Sequence, residues 1–322
     1  MTTSSAVLVT GATGFLGSHL VHRLVSEGRD VHIYVREASE GARLADVAGR
    51  ITRWVGDIND AASVLHALTE SRAEVVLHCA GDTSTRKFDG DWDAIDRAMH
   101  VNLFGTLTLL RAAGEPGAQV RQLIRLGGLE EYGTAPTPWS EEMREEPSSP
   151  YSASQVAATH ACQALQPHLP FSVMTLRPAL VYGPGQSRDF LIPALITTLL
   201  RGGRFPMTDG QQHRDLIFVH DLVDAVLAAM RHPEVRGAVI NISAAQEWKI
   251  VDVARQIARL VDAEALLDIG ALAQRPGDLT HLVARNDLAA ELLGWYPRVS
   301  LEAGLAQTVA AYRPAPAADA SS

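Results

Sequence analysis

Thr10-Gly11-Ala12-Thr13-Gly14-Phe15-Leu16-Gly17 constrains the fold of this chain more than any other stretch. It follows an unbroken apolar run, Ala6-Val7-Leu8-Val9, and leads into a pattern that sets Leu16, Leu20 and Leu24 on one helical face. Strand, glycine turn and helix, in that order, make the setting that a dinucleotide site requires. Gly11 permits a tight turn off the strand. Gly14 lets backbone approach a pyrophosphate with no Cβ in the way, and Gly17 lets the helix pack close to the sheet. The helix start then offers free N–H groups and the positive end of its dipole to the phosphates. Thr13, Phe15 and Leu16 fill the turn between the glycines and are expected to touch the same ligand. The bland alternative is a glycine-rich surface turn that binds nothing; the strand and helix on either side argue against it.

The first half of the chain repeats this alternation. Val31–Val35, Ile51–Val55, Glu74–Cys79, Val120–Leu126 and Phe171–Leu176 read as further strands. Helical patterns lie between them near 38–48, 60–71, 91–113 and 150–167. Short apolar strands separated by helices predict a parallel sheet covered on both faces. That is a doubly wound α/β, Rossmann-type fold, with its ligand crevice at the C-terminal ends of the strands. After Val181-Tyr182-Gly183-Pro184-Gly185 the rhythm loosens. Helices are expected near 189–201, 221–231, 249–262, 285–293 and 301–312, with short strands at Leu216–Val219 and Val239–Ile242. The reading is a dinucleotide-binding domain over 1–180 and a smaller α/β substrate lobe over 181–313, with segments able to cross between lobes. Residues 314–322, rich in Ala, Pro and Ser, are expected to form a disordered tail.

Several function classes are excluded at this point. The net charge of −9 gives no electrostatic footprint for nucleic acid. No apolar stretch is long enough to cross a bilayer, and residues 1–5 carry no basic segment of a signal sequence. Cys79 and Cys162 form no Cys-x-x-Cys pair, so a disulfide framework is not expected and a reducing cytoplasm is the default location. His19 and His22 lack an acidic or thiol partner nearby, and no metal site is predicted.

The cofactor can be read more finely. Arg36 stands just past the second strand, where the adenosine ribose would lie. An acidic residue there would favour NAD, whereas a guanidinium offers a charge-assisted fork to a 2′-phosphate. NADP(H) is therefore the preferred expectation, with NAD(H) possible, and Glu37 beside Arg36 weighs against the phosphate. Asp57, after the third strand, can accept from the adenine amino group or serve as a helix cap.

At this level of detail the chain resembles the extended short-chain dehydrogenase/reductase family, in its branch of nucleotide-sugar epimerases, dehydratases and 4-ketoreductases. The resemblance runs over roughly residues 6–312 and rests on segments in family order. They are the turn at Thr10–Gly17, His78-Cys79-Ala80-Gly81, Asn102-Leu103-Phe104-Gly105-Thr106, Arg177-Pro178 with Val181-Tyr182-Gly183-Pro184-Gly185, Arg214–Asp221, Arg275-Pro276-Gly277-Asp278 and Leu293-Gly294-Trp295-Tyr296-Pro297. By resemblance, Ile58, Cys79, Ala80, Gly81, Asn102 and Pro178 join the cofactor site. Arg214, Arg275, Asp278 and Phe190 join the substrate site, with the arginines suited to a nucleotide diphosphate. The helices near 91–113 and 150–167 resemble a pair through which the family forms homodimers.

The same resemblance exposes three departures. The family's Tyr-x-x-x-Lys is here Tyr151-Ser152-Ala153-Ser154-Gln155, its usual Ser or Thr is Gly128, and an Asn that helps to seat substrate is Leu180. Tyrosine titrates near pH ~10 when unassisted, so without the lysine's charge Tyr151 is a phenol at neutral pH. A phenol can protonate an alkoxide but draws a proton poorly from an alcohol. Gln155 can replace the lysine's ribose hydrogen bonds, though not its charge. Glu130, two residues before Tyr132, falls where several family dehydratases carry a catalytic glutamate. Tyr151, Gln155 and Glu130 are thus the expected catalytic residues. The leading expectation is ketoreduction of a nucleotide-linked 4-keto-deoxyhexose. Its rivals are an epimerase or dehydratase with retained cofactor, a reductase of an apolar ketone suggested by Leu180, and a nucleotide-binding protein whose catalysis has decayed.

Overall fold

The apolar runs of the sequence become the strands of one parallel sheet. The structure, a computed structural model, describes residues 5–86, 90–274 and 279–313. Strands β1 (Val7–Thr10), β2 (Val31–Val35), β3 (Ile51–Val55), β4 (Val75–His78), β5 (Gln122–Leu126), β6 (Ser172–Pro178) and β7 (Val239–Ile242) lie in the order β7-β6-β5-β4-β1-β2-β3. Every pair is parallel, with Val7 level with Val31 on one side and Val75 on the other. The chain moves outward from β1 to β3 and then returns to place β4 on the opposite side of β1. That reversal leaves a crevice between β1 and β4 at their C-terminal ends, where doubly wound folds bind their ligands.

Alternation along the strands builds two cores. Val7, Val9, Ile33, Ile124 and Met174 face a layer formed by α1 (Phe15–Ser26), α7 (Val219–Met230) and α9 (Asp287–Leu293). Leu8, Val76, Leu123 and Val173 face the other way, toward α2 (Ala61–Ser71) and α4 (Gly105–Ala113). The helix expected near 91–113 is α3 (Trp92–Met99) running into α4 through a π turn at His100–Phe104. The helix expected near 150–167 is α5 (Pro150–Leu165), its start fixed by Ser149, whose hydroxyl accepts from the Ser152 amide, and by Pro150 in the first turn. A third core joins α6 (Leu191–Leu200), α8 (Ile250–Leu260) and α10 (Leu301–Tyr312) in the smaller lobe.

The segment near 38–48 is a 3₁₀ helix, Ala42–Arg50, and not an α-helix. The segments that the reading allowed to cross between lobes are α7, β7 and α9, which follow residue 181 in sequence but belong to the layers of the large sheet. A short apolar strand reads alike whichever sheet accepts it. Arg275, Asp278 and residues 314–322 lie outside the described residues.

Candidate active site

The glycine turn forms the floor of a cleft of about 610 Å³ between the lobes. Gly11 has φ +65°, and a Cβ there would stand 2.5 Å from the Ala80 amide nitrogen, so β1 can leave the sheet beneath the exit of β4 only through glycine. A Cβ on Gly17 would stand 2.3 Å from the Gly11 carbonyl oxygen. Gly17 therefore allows α1 to close on the turn itself, a correction to its expected role against the sheet. Gly14 precedes α1 with no side-chain cap on the helix, which leaves the first N–H groups directed at the cleft. A cradle that any Cβ would fill, beneath an uncapped helix start, fits a dinucleotide pyrophosphate.

Behind the turn runs a buried polar chain with a defined direction. The Ala80 amide donates to the Thr10 hydroxyl, and that hydroxyl meets His78 Nδ1 at 2.7 Å. His78 Nε2 meets the Thr106 hydroxyl at 3.1 Å, and Thr106 donates to the Asn102 carbonyl at 2.6 Å. Because Thr106 spends its proton on that carbonyl, His78 carries its own proton on Nε2. Asn102, in the π turn, accepts from the Asp82 amide through Oδ1 and donates through Nδ2 to the Asp82 carbonyl and the Ser154 hydroxyl. Its side chain clamps the loop after β4 to α5. Asn102 thus shapes the site from behind and lines none of the cleft.

Of the expected cofactor residues, Gly11, Gly14, Phe15, Leu16 and Gly17 line one end of the cleft, with Cys79, Ala80, Gly81 and Pro178 at the strand ends above. Burial pushes the Cys79 thiol up to about 12, so it stays protonated. Thr13, Arg36, Asp57 and Ile58 do not line the cleft. Thr13 offers its carbonyl to Arg43, and Arg36 is exposed just past β2. Asp57 receives the amide and side-chain N–H groups of Asn59 in a tight turn, while the neighbouring Asp60 caps α2. Ile58 packs against Gly105, where a Cβ would come within 2.8 Å of it.

Tyr151, Gln155 and Glu130 all line the cleft, as do Gly128, Leu180, Phe190 and Arg214. Tyr151 and Gln155 stand one turn apart on α5. A Cβ built on Gly128 would lie 2.7 Å from Glu130 Oε2 and 3.8 Å from the Tyr151 hydroxyl. The Glu130 carboxylate therefore occupies the space into which a serine or threonine at 128 would project. Arg214 gives one nitrogen to the carbonyls of His213 and Leu279, both at 2.8 Å.

Sequence reasoning missed the groups beneath this surface. Glu131, fully buried, accepts from the Gly128 amide at 3.2 Å and from Arg177 at 2.8 and 3.0 Å. Arg177 also reaches Glu145 and lies 4.7 Å over the Tyr132 ring. Burial opposes the Arg177 charge, but Glu131 facing it raises its pKa above the ordinary arginine value. Arg125, on β5 and only 2% exposed, reaches Gln155 Oε1, the Gln155 carbonyl and the Thr159 hydroxyl. The signal in the sequence was a single charge inside the apolar run Leu123-Ile124-Arg125-Leu126.

A glycine cradle at the switch point of a parallel sheet, with a tyrosine on the helix beside it and a second lobe closing the cleft, defines an extended short-chain dehydrogenase/reductase. The family model described as the NAD dependent epimerase/dehydratase family matches residues 7–243, and the chain belongs to that family. It is 33% identical over 318 residues to the UDP-glucose 4-epimerase of Mycolicibacterium smegmatis, covering 95% of this chain and 98% of that protein. The solved UDP-glucose 4-epimerase of Thermotoga maritima, with UDP-glucose, superposes with a TM-score of 0.85 at 26% identity, covering 95% of this chain and 98% of that one. The dTDP-glucose 4,6-dehydratase of Streptomyces venezuelae, solved with NAD, matches with a TM-score of 0.85 and 26% identity over 95% of this chain and 96% of that one.

Proposed function

We propose that this chain rearranges a nucleotide-linked hexose by oxidising one of its carbons and reducing it again, as an epimerase or a dehydratase does, with a nicotinamide dinucleotide in the cleft. The observation that carries the reading is the approach of the Glu130 carboxylate and the Tyr151 hydroxyl to the same point at Gly128. Transient oxidation needs one group to take a proton from the sugar hydroxyl and, where the sugar is rearranged at carbon, another to move a proton there. Two independent proton carriers supply both; a lone tyrosine does not. The bound dinucleotide would supply acceptance and return of a hydride. Tyr151 returns a proton to the alkoxide in the reducing half, and Glu130, the second proton carrier, is the base that a phenol without the lysine's charge needs in the oxidising half. Gln155, its oxygen taken by Arg125, offers its amide N–H₂ to a ribose hydroxyl. Arg214, at the lobe end, suits the diphosphate, and the UDP-glucose and NAD of the solved relatives support that assignment.

Reductive chemistry with NADPH is the second reading, and two observations favour it. Gln155 keeps the neighbour of Tyr151 uncharged, which suits giving a proton to an alkoxide, and Arg36 is exposed at the end of β2, free of the cleft wall. Denaturing freshly purified protein and identifying the nucleotide it releases separates the two. Retained NAD, with solvent deuterium entering a product made from UDP-glucose or dTDP-glucose, supports rearrangement. An empty or NADP-loaded protein that consumes NADPH against a keto-sugar nucleotide overturns it in favour of reduction. In either case Tyr151→Phe should fold normally and lose at least ~100-fold in turnover; full turnover would remove Tyr151 from the reaction. The rod formed by α3 and α4 exposes Trp92 (71%) and Phe104 (48%), which supports a homodimer in solution, readable by light scattering. Action in the cytoplasm fits two cysteines that remain free thiols.

A further inference from the structure

Arg125 has no function in the chemistry above, yet it is the cation nearest to the position where the family carries lysine. It projects from the middle of β5, is almost fully buried, and is covered by α5. Its partners among the described residues are neutral: the Gln155 side-chain oxygen, the Gln155 carbonyl and the Thr159 hydroxyl. Glu131, the nearest carboxylate in this chain of contacts, accepts from the Thr159 hydroxyl through Oε2 at 2.7 Å, and its Oε1 and Arg125 Nη1 both stand within 3.3 Å of the point where a Cβ on Gly127 would be, near each other without a direct ion pair. A buried guanidinium whose hydrogen bonds go to neutral acceptors is costly to hold.

With Oε1 of Gln155 held by Arg125, the amide nitrogen is left for the opposite side. That nitrogen stands 3.9 Å from where a Cβ on Gly81 would be, at the wall of the cofactor cleft. A lysine at 155 would bring an ammonium against the guanidinium in a site shut off from water, where like charges repel strongly. The contacts also run on from Thr159 through Glu131 to the Gly128 amide. That last bond is made by the backbone and is open to any residue at 128, so of the departures from the family pattern it is Gln155 that the network involves through its side chain.

We propose that Arg125 is the positioning cation of this active site: it fixes Gln155 by its oxygen, turns the amide N–H₂ to the cofactor, and excludes lysine from position 155. The idea rests on the reading of Gln155 as a cofactor-holding residue. It is tested without any sugar substrate, through NAD affinity (NADP, if the wild type prefers it) and ligand-free melting of four proteins: wild type, Arg125→Met, Gln155→Lys and the double variant.

Gln155→Lys alone should melt well below the wild type and bind NAD at least tenfold more weakly. The double variant, which exchanges which side chain carries the charge, should recover NAD affinity to within about threefold of the wild type. Arg125→Met alone should weaken NAD at least tenfold, an effect that a purely structural arginine would not produce in protein that still folds. A Gln155→Lys protein that fails to fold while the double variant folds supports the proposal, since the two differ only in the second cation. Wild-type affinity in Gln155→Lys, wild-type affinity in Arg125→Met, or a double variant no better than Gln155→Lys would overturn it. Should the wild type bind neither dinucleotide, the functional reading falls, and the melting cycle alone still decides whether Arg125 and position 155 are coupled. If sugar turnover is absent but the cycle behaves as described, only the reaction assignment falls.

Discussion

His78 is held between two hydroxyls on the inner face of the cofactor half, and burial, with Arg125 adding to it, pushes its imidazole down to about 3. The folded protein therefore keeps His78 neutral where an unfolded chain, with its histidine near 6.5, takes up a proton. For a group depressed on folding, this contribution to stability is complete above pH 6.5 and is lost progressively as the pH falls toward 3. At pH 5 the loss is on the order of 2 kcal/mol. His78→Gln keeps an amide donor and acceptor for Thr106 and Thr10 but does not titrate. Denaturant unfolding at pH 7.5 and 5.0 should show the variant less stable than wild type at the higher pH and losing less on acidification; equal losses would mean that His78 protonates in the folded state. Gly128 allows a second prediction at this scale. Its φ of −169° is open to any residue, and the atom that a new Cβ would strike is the flexible end of Glu130. Gly128→Ser should fold and melt close to wild type. If Glu130 is the second proton carrier, displacing its carboxylate should lower turnover at least ~10-fold on the accepted sugar nucleotide, although serine restores the family hydroxyl. A rise in turnover would instead make the hydroxyl the missing group.

Elements built from one periodic signal were legible in the sequence; elements defined by a distant partner were not. β2 and β3 have the bounds read from the sequence; β2, buried on both faces, needs no alternation to be seen, whereas β3 is the edge strand, with Thr52, Arg53 and Val55 exposed and Ile51 and Trp54 half-buried. The turn into α1 was legible for the same local reason, three glycines at fixed spacing between strand and helix. β7 was read as a strand but assigned to the smaller lobe, since nothing in Val239-Ile240-Asn241-Ile242 names β6 as its neighbour. The π turn at His100–Phe104 left no mark in the helical pattern near 91–113, and it is this turn that carries Asn102 to the loop after β4. Tyr151, Gln155 and Glu130 were singled out because they stand at motif positions, and all three line the cleft; Arg125 escaped because a lone charge in an apolar run reads as an exposed face. The glycine turn also supplies the prediction for its element. A Cβ at residue 17 meets backbone, the Gly11 carbonyl, which cannot move without breaking the turn. Gly17→Ala should therefore weaken NAD at least ~100-fold and lower the melting temperature, whereas Gly49→Ala, at a site where a Cβ meets nothing within 4 Å and the backbone is not left-handed, should leave NAD affinity alone. Equal effects at both sites would remove the turn from cofactor binding.

For the molecule as a whole, the question is what holds the smaller lobe over the glycine turn. The segment Gly183-Pro184-Gly185, between β6 and α6, is stitched to the dinucleotide half at two points. His19 on α1 meets the Pro184 carbonyl at 2.9 Å; a carbonyl only accepts, so Nε2 of His19 carries the proton. Burial keeps that imidazole below its ordinary pKa, neutral and suited to this bond near pH 7. Arg43, from the 3₁₀ helix, donates to the Thr13 carbonyl at 3.2 Å and to the Gly185 carbonyl at 3.1 Å, and so bridges the cofactor turn and the lobe across the cleft wall. Exposed hydrogen bonds to neutral acceptors contribute only ~1 kcal/mol net to folding. In a chain of this size that moves the melting temperature by no more than about 3 °C. A ligand leaving between Thr13 and Gly185, however, has to pass the bridge. Arg43→Ala should consequently keep its melting temperature and release NAD roughly tenfold faster in stopped-flow displacement, with the association rate little changed. An unchanged release rate would reduce Arg43 to a surface contact and leave α1, through His19, as the tie that sets the mouth of the cleft.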